Sequence, residues 1–185
     1  MIAILDFGSQ YNQLIARRVR ECRVYCEILN HDIAPGELES RKVEGIILSG
    51  GPSSIFDKGV PKCDPGIFEL GVPVLGICYG VQLMAHLLGG KVVPSSRREY
   101  GLARLDVRDR SGLLKGIKDK GQVWMSHGDR VEKVPPRFTI TGRTANTKVF
   151  STVFRRFGRI RCQYLFNRGF LFCFQCFWTH SFLLV

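Results

Sequence analysis

Gly76-Ile77-Cys78-Tyr79-Gly80 is a turn with a cysteine at its apex, joining an apolar run, Val72–Leu75, to a helix-forming run, Tyr79–Leu88. A reactive side chain on a strand-to-helix turn needs small residues two before and two after it, because the tight backbone crowds those positions. Both are glycine here. The turn also sets the sulfur at a helix N-terminus, where the positive end of the peptide dipoles favours thiolate. The Tyr79 amide would then face an oxyanion formed on an attacked carbonyl. A buried structural cysteine in a glycine-flanked turn is the plainer alternative. Two glycines at the required offsets, directly after a strand, favour the nucleophile.

The segments before this turn repeat its strand-then-helix logic. Ile2–Leu5 predicts a short strand, and Leu14, Ile15 and Val19 fall on one face of a helix over Tyr11–Glu21, with Arg17, Arg18 and Arg20 on the wet side. Val24–Leu29 and Val43–Leu48 predict two further strands. Asp64 followed by Pro65 is an N-cap and first-turn signal for a helix through Leu70. Gly89-Gly90 should stop the helix after Cys78. Short apolar strands alternating with helices imply an α/β fold: an open, mainly parallel, Rossmann-like sheet flanked by helices. Beyond Lys91 the pattern changes to short strands with turns at Leu102–Val107, Val123–Ser126 and Phe138–Gly142, which predicts a small antiparallel extension.

The composition breaks near residue 150. Residues 1–150 carry 22 Lys and Arg against 16 Asp and Glu, whereas residues 151–185 carry five Arg and no acid. That tail holds eight of the 13 Phe, lacks Ala and Lys, and shows no periodic pattern. We therefore divide the chain into a domain over 1–150, incomplete at its C-terminal end, and an aberrant apolar and basic tail over 151–185. Five of the net charge of +11 sit in the tail, the rest is interspersed with acids, and no RNA-binding motif accompanies either, so no nucleic acid is expected. Phe170–Val185 is shorter than the ~20 apolar residues a spanning helix needs and is interrupted by polar side chains, so no membrane span is expected either. A tail of this kind reads as a frame or splicing product. It should promote aggregation, and cutting after residue 150 should improve solubility. Seven cysteines in no disulfide or zinc spacing suggest a reducing, cytoplasmic setting.

In an open α/β sheet, ligands bind beyond the carboxyl ends of the strands. A second such end is Ser49-Gly50-Gly51-Pro52-Ser53, where a Gly51 amide could complete an oxyanion hole; taken alone it is just a turn. Gln82 lies four residues past Cys78 on the same helix face, where it could bond a substrate or simply be exposed.

Together with Cys78-Tyr79-Gly80-Val81-Gln82, these segments resemble the class I glutamine amidotransferases. Ile4-Leu5-Asp6-Phe7-Gly8-Ser9-Gln10-Tyr11, Gly45–Ser53 and Val123-Trp124-Met125-Ser126-His127-Gly128-Asp129 are similar to the amidotransferase domains of GMP synthetases, over about residues 1–145. The resemblance implies glutamine hydrolysis through a Cys-His-Glu triad, with ammonia passed to an ATP-pyrophosphatase (synthetase) domain or chain that aminates xanthosine monophosphate (XMP) to GMP. Cys78 would form the γ-glutamyl thioester, with the Gly51 and Tyr79 amides as oxyanion hole. Gln82, Ser126, His127, Gly128 and Asp129 would hold L-glutamine. No cofactor is implied for this domain, and ATP and Mg2+ belong to the synthetase part.

A thiol nucleophile needs a base, and here the chain departs from the pattern. The family's His-Pro-Glu stretch is absent; its nearest echo, Cys162-Gln163-Tyr164-Leu165-Phe166-Asn167, puts Leu165 and Asn167 where the His and Glu belong. His31, just past the second strand, reads as a surface residue. His86 is about 80° around the helix from Cys78 and reads as structural. His127 has Asp129 two residues on, an alternative dyad, and His180 has no acid near it. Three readings share the family: a glutaminase, impaired in this chain; a glutamine-binding or interaction module without turnover; and a truncated product without a stable fold.

Overall fold

The computed structural model describes residues 1–110, 114, 118–145 and 151–154. These fall into two compact units, Met1–Met84 in the first and the described residues from Ala85 onward in the second.

In the first unit, β1 (Ile2–Asp6), β2 (Cys26–Asn30), β3 (Gly45–Leu48) and β4 (Val74–Gly76) form a parallel sheet in the order β2-β1-β3-β4. Ile2, Ala3, Ile4 and Leu5 have no exposure, as an apolar run on an interior parallel strand requires. Helix α1 (Asn12–Glu21) buries Ile15, Ala16 and Val19, the face its periodicity predicts. Its exposed Arg17–Glu21 pair at 3.0 Å adds only a few tenths of a kcal/mol. The strand order puts the carboxyl ends of β1, β3 and β4 side by side, through the registers Leu5↔Leu48 and Leu48↔Gly76.

Two elements differ from expectation. The sequence reading omits α2 (Pro35–Ser40), which starts on Pro35, carries Glu37 in its first turn and buries only Leu38. One apolar contact gives no periodicity to read. Asp64 does cap the following turn, accepting from the Gly66 amide at 2.8 Å, but that turn is a 3-10 helix of four residues, Pro65–Phe68. Gly66 weakens the start, and Gly71 at φ +72 follows soon after.

Helix α3 (Tyr79–Leu87) ends at Gly89, φ +82, and the Gly90 amide donates to the Ala85 carbonyl at 2.7 Å. The second unit then departs from the short strands predicted. Strands β5 (Lys91–Arg104) and β7 (Gln122–Lys133) form a long antiparallel ribbon with an irregularity between Pro94 and Glu99. The polar run Ser95-Ser96-Arg97-Arg98 carries no alternating pattern and falls in that irregularity. Pairing stops at Pro94↔Asp129 and resumes at Glu99↔His127, so pairing on either side of the run, rather than hydrophobicity, makes one strand of β5. A separate three-stranded sheet orders β6 (Asp106–Val107), β8 (Phe138–Arg143) and β9 (Ser151–Phe154) as β6-β8-β9. Leu105, Leu114 and Val123 form a small core of this unit.

Regular structure thus continues four residues past the composition break at 150. The rest of the tail lies outside the described residues, as do Leu165, Asn167 and His180. Among the described residues, no helix is long and apolar enough to cross a membrane.

Candidate active site

Cys78 connects β4 to α3 with φ +48. The other non-glycine residues at positive φ, Arg23, Lys42, Lys120 and Arg137, are all exposed. Cys78 shares their conformation inside a crowded turn, where it costs on the order of 1–3 kcal/mol. Hydrogen bonds on both sides impose it. The Ile77 amide donates to the Leu48 carbonyl at 2.9 Å, and the Gly80 amide donates to the Ser49 carbonyl at 3.1 Å.

The flanking glycines are required by contact. A Cβ on Gly76 would lie 2.6 Å from the Val81 nitrogen, and one on Gly80 would meet the Leu48 backbone and its Cβ, the latter at 2.7 Å. On the neighbouring strand end, a Cβ on Gly51 would lie 2.5 Å from the Phe7 carbonyl oxygen. A Cβ on Gly50 would sit 3.6 Å from the Cys78 Cβ and 3.8 Å from the Ser9 Oγ, so the Gly50 backbone runs directly beside the nucleophile.

The two candidate oxyanion donors are both in this unit. The Tyr79 amide opens α3, and Gly51 follows Gly50; neither amide is bonded to another described residue. Tyr79 itself is buried and anchored. Its hydroxyl donates to the Pro61 carbonyl at 2.6 Å, and its ring packs on Phe7 with centroids 5.6 Å apart. Burial pushes the phenol's pKa up, which keeps it a donor. His31 is no loose surface residue: its ring also stacks on Phe7, with centroids 5.8 Å apart, and its Nδ1 lies 3.0 Å from the Lys62 carbonyl oxygen. Consecutive carbonyls of one loop are therefore tied to the two partners of Phe7.

Sequence reasoning missed Ser49. It has no exposure, its Oγ accepts from the Phe7 amide at 3.1 Å, and it donates to the Gly50 carbonyl at 3.0 Å. Its place in a Ser-Gly-Gly-Pro turn is the only signal the sequence offers. Gln82 is buried and bonded rather than an exposed helical glutamine, and its backbone N–H donates to the Cys78 carbonyl at 3.2 Å. Ser126, His127, Gly128 and Asp129 all fall within β7 of the second unit, where Gly128 is exposed and Asp129 is buried with a partner. His86 is exposed on α3, against its reading as a packed structural residue.

Cys78 is solvent-accessible, so a small electrophile can reach it. Desolvation by burial nevertheless pushes its thiol pKa up, against the lowering expected from the helix terminus alone. Among the described residues no cation or hydrogen-bond donor is resolved that offsets this. The arrangement offers an accessible sulfur and backbone donors, with no base beside it among those residues.

A family model for glutamine amidotransferase class-I matches residues 3–164. It runs past the composition break and stops at Tyr164, just before the positions where a His and Glu would stand. The chain is 55% identical over 148 residues to "GMP synthase [glutamine-hydrolyzing]" of Caldanaerobacter subterraneus subsp. tengcongensis, covering 80% of this chain and 29% of that protein. Against the protein of the same name from Synechocystis sp. it is 52% identical over 147 residues, covering 80% and 27%. The chain thus spans less than a third of the length of these relatives. Among solved structures, a putative GMP synthase component from Thermoplasma acidophilum superposes with a TM-score of 0.75 at 25% identity, covering 97% of this chain and 96% of that one. A glutamine amidotransferase from Thermotoga maritima, at 18% identity and a TM-score of 0.64 over 83% and 70%, shares the fold.

Proposed function

This chain belongs to the class-I glutamine amidotransferase family, and from that premise we propose that it binds L-glutamine and presents Cys78 to the side-chain amide. The observation that carries the reading is the strained Cys78 turn, at φ +48 between two glycines that tolerate no Cβ. The thiolate adds to the amide carbon, and the Gly51 and Tyr79 amides receive the oxyanion. Ammonia then leaves with a proton, and water hydrolyses the thioester to glutamate. Gln82, Ser126, His127, Gly128 and Asp129 would hold the amino-acid head group, so that binding energy positions the amide for attack. In the cytoplasm the ammonia would serve an ATP- and Mg2+-dependent synthetase domain or chain that aminates XMP to GMP; of this, the names of its relatives support glutamine hydrolysis and GMP synthesis.

The raised thiol pKa and the missing His-Pro-Glu stretch set the expected rate. A thiol nucleophile without a base is only a few per cent thiolate near neutral pH, so the isolated chain should turn over glutamine orders of magnitude below a complete triad. Binding without turnover is the second reading, favoured by the accessible yet unassisted thiol.

One experiment separates these readings. A chloroketone analogue of glutamine should label Cys78 alone, with protection by L-glutamine, and with a rate that climbs about tenfold per pH unit beyond the ordinary thiol range because burial holds the proton on. Ammonia release should stand only slightly above the Cys78→Ala background if the chain hydrolyses glutamine slowly, and at that background if it only binds. Cys78-dependent release at the rate of a complete triad would overturn the impaired reading. Labelling that L-glutamine does not slow would overturn glutamine recognition altogether.

A further inference from the structure

The Gly50–Gly51 peptide lies beside Cys78, and its two ends have opposite duties. We propose that Ser49 is a positioning residue that sets the Gly51 amide of the oxyanion hole; the inference rests on Cys78 being the nucleophile, as above. The Ser49 Oγ accepts from the Phe7 amide at 3.1 Å, which leaves its single proton for the Gly50 carbonyl at 3.0 Å. A trans peptide points its C=O and N–H in opposite directions. Holding the Gly50 carbonyl on a fully buried hydroxyl therefore turns the Gly51 N–H away from the interior.

This is the peptide that most needs holding. Glycine on both sides removes the Cβ contacts that restrict rotation, so without the hydroxyl the plane has little to stop it turning over. The same residue also grips the second donor: its backbone carbonyl accepts from Gly80 at 3.1 Å, in the first turn of the helix that carries the Tyr79 amide. Ser49 thus references both amides to the end of β1. A serine present only to satisfy the Phe7 amide would leave acylation chemistry untouched beyond its effect on folding.

The test compares two reagents on the full chain, with Cys78→Ala as background. p-Nitrophenyl acetate acylates sulfur through an oxyanion: the S–C bond forms, the ester C–O bond breaks and p-nitrophenolate leaves with the electron pair. Iodoacetamide alkylates the same sulfur by displacing iodide and forms no oxyanion. Ser49→Ala should slow Cys78-dependent acylation by about tenfold or more while alkylation stays within about twofold, and Ser49→Thr should keep both near the parent rates. Equal slowing of both reactions, or of neither, overturns the positioning role. If the parent chain is alkylated at Cys78 but shows no Cys78-dependent acylation, the oxyanion hole itself is wrong and Ser49 falls with it. If neither Ser49→Ala nor Ser49→Gly folds, Ser49 is structural and the inference is overturned on that ground.

Discussion

Gly80 and Gly36 show how differently two glycines of one chain can behave. A Cβ on Gly80 runs into the backbone of Leu48 at the end of β3, which cannot swing aside as a side-chain tip would. Gly36, in the first turn of α2, has no heavy atom within 4 Å of the same position. Gly80→Ala should therefore destabilise the chain by about 2–3 kcal/mol as the elbow is forced off the sheet. Gly36→Ala should be neutral, or stabilising by up to ~0.5–1 kcal/mol from helix propensity. Urea midpoints of the two variants check this, and equal shifts would show that the close approach at Gly80 is not what selects glycine. The glycine offsets were readable because local sterics alone set them. The direction of the Cys78 pKa was not, because desolvation depends on which strand ends converge there, and the sequence showed only the helix terminus.

Tyr79 joins two elements that are distant in sequence. Its hydroxyl crosses from α3 to the Pro61 carbonyl, while His31 reaches the adjacent Lys62 carbonyl from beyond β2. Tyr79→Phe removes one bond and leaves the ring on Phe7. It should cost about 1 kcal/mol in urea unfolding and speed hydrogen exchange between residues 55 and 63, with β1 amides unaffected. Unchanged exchange in that loop would mean that Phe7 packing alone holds it. At this scale the parallel strands, α1 and α3 were legible to within about two residues, because continuous apolar runs and a helical stripe carry their own period. Short α2 and the long β5–β7 ribbon were not, since their boundaries are set by a proline at the first helical position and by pairing that resumes beyond a polar run. Gln82 belongs with these: its burial follows from packing that spacing cannot reveal.

Over the whole chain, the break in composition at residue 150 is not where regular structure ends among the described residues. Ser151-Thr152-Val153-Phe154 is itself β-branched and aromatic, a strand by ordinary preference, but the acid-free, Phe-rich run that follows masks it. It pairs with β8 through Phe138↔Phe154, Thr139↔Val153 and Ile140↔Thr152. Ending the chain at residue 150 would leave that side of β8 without a strand partner, with hydrogen-bonding groups open to other chains. A chain ending at Phe154 should therefore be more stable than one ending at Phe150, by about 1–2 kcal/mol from the backbone hydrogen bonds of that ladder. It should also aggregate less, although it retains four more residues of the tail. Both versions drop Trp178 and keep Trp124, so tryptophan fluorescence during urea unfolding follows the second unit alone in each. Equal midpoints would mean that β9 adds nothing to this sheet, and that the domain does end where its composition changes.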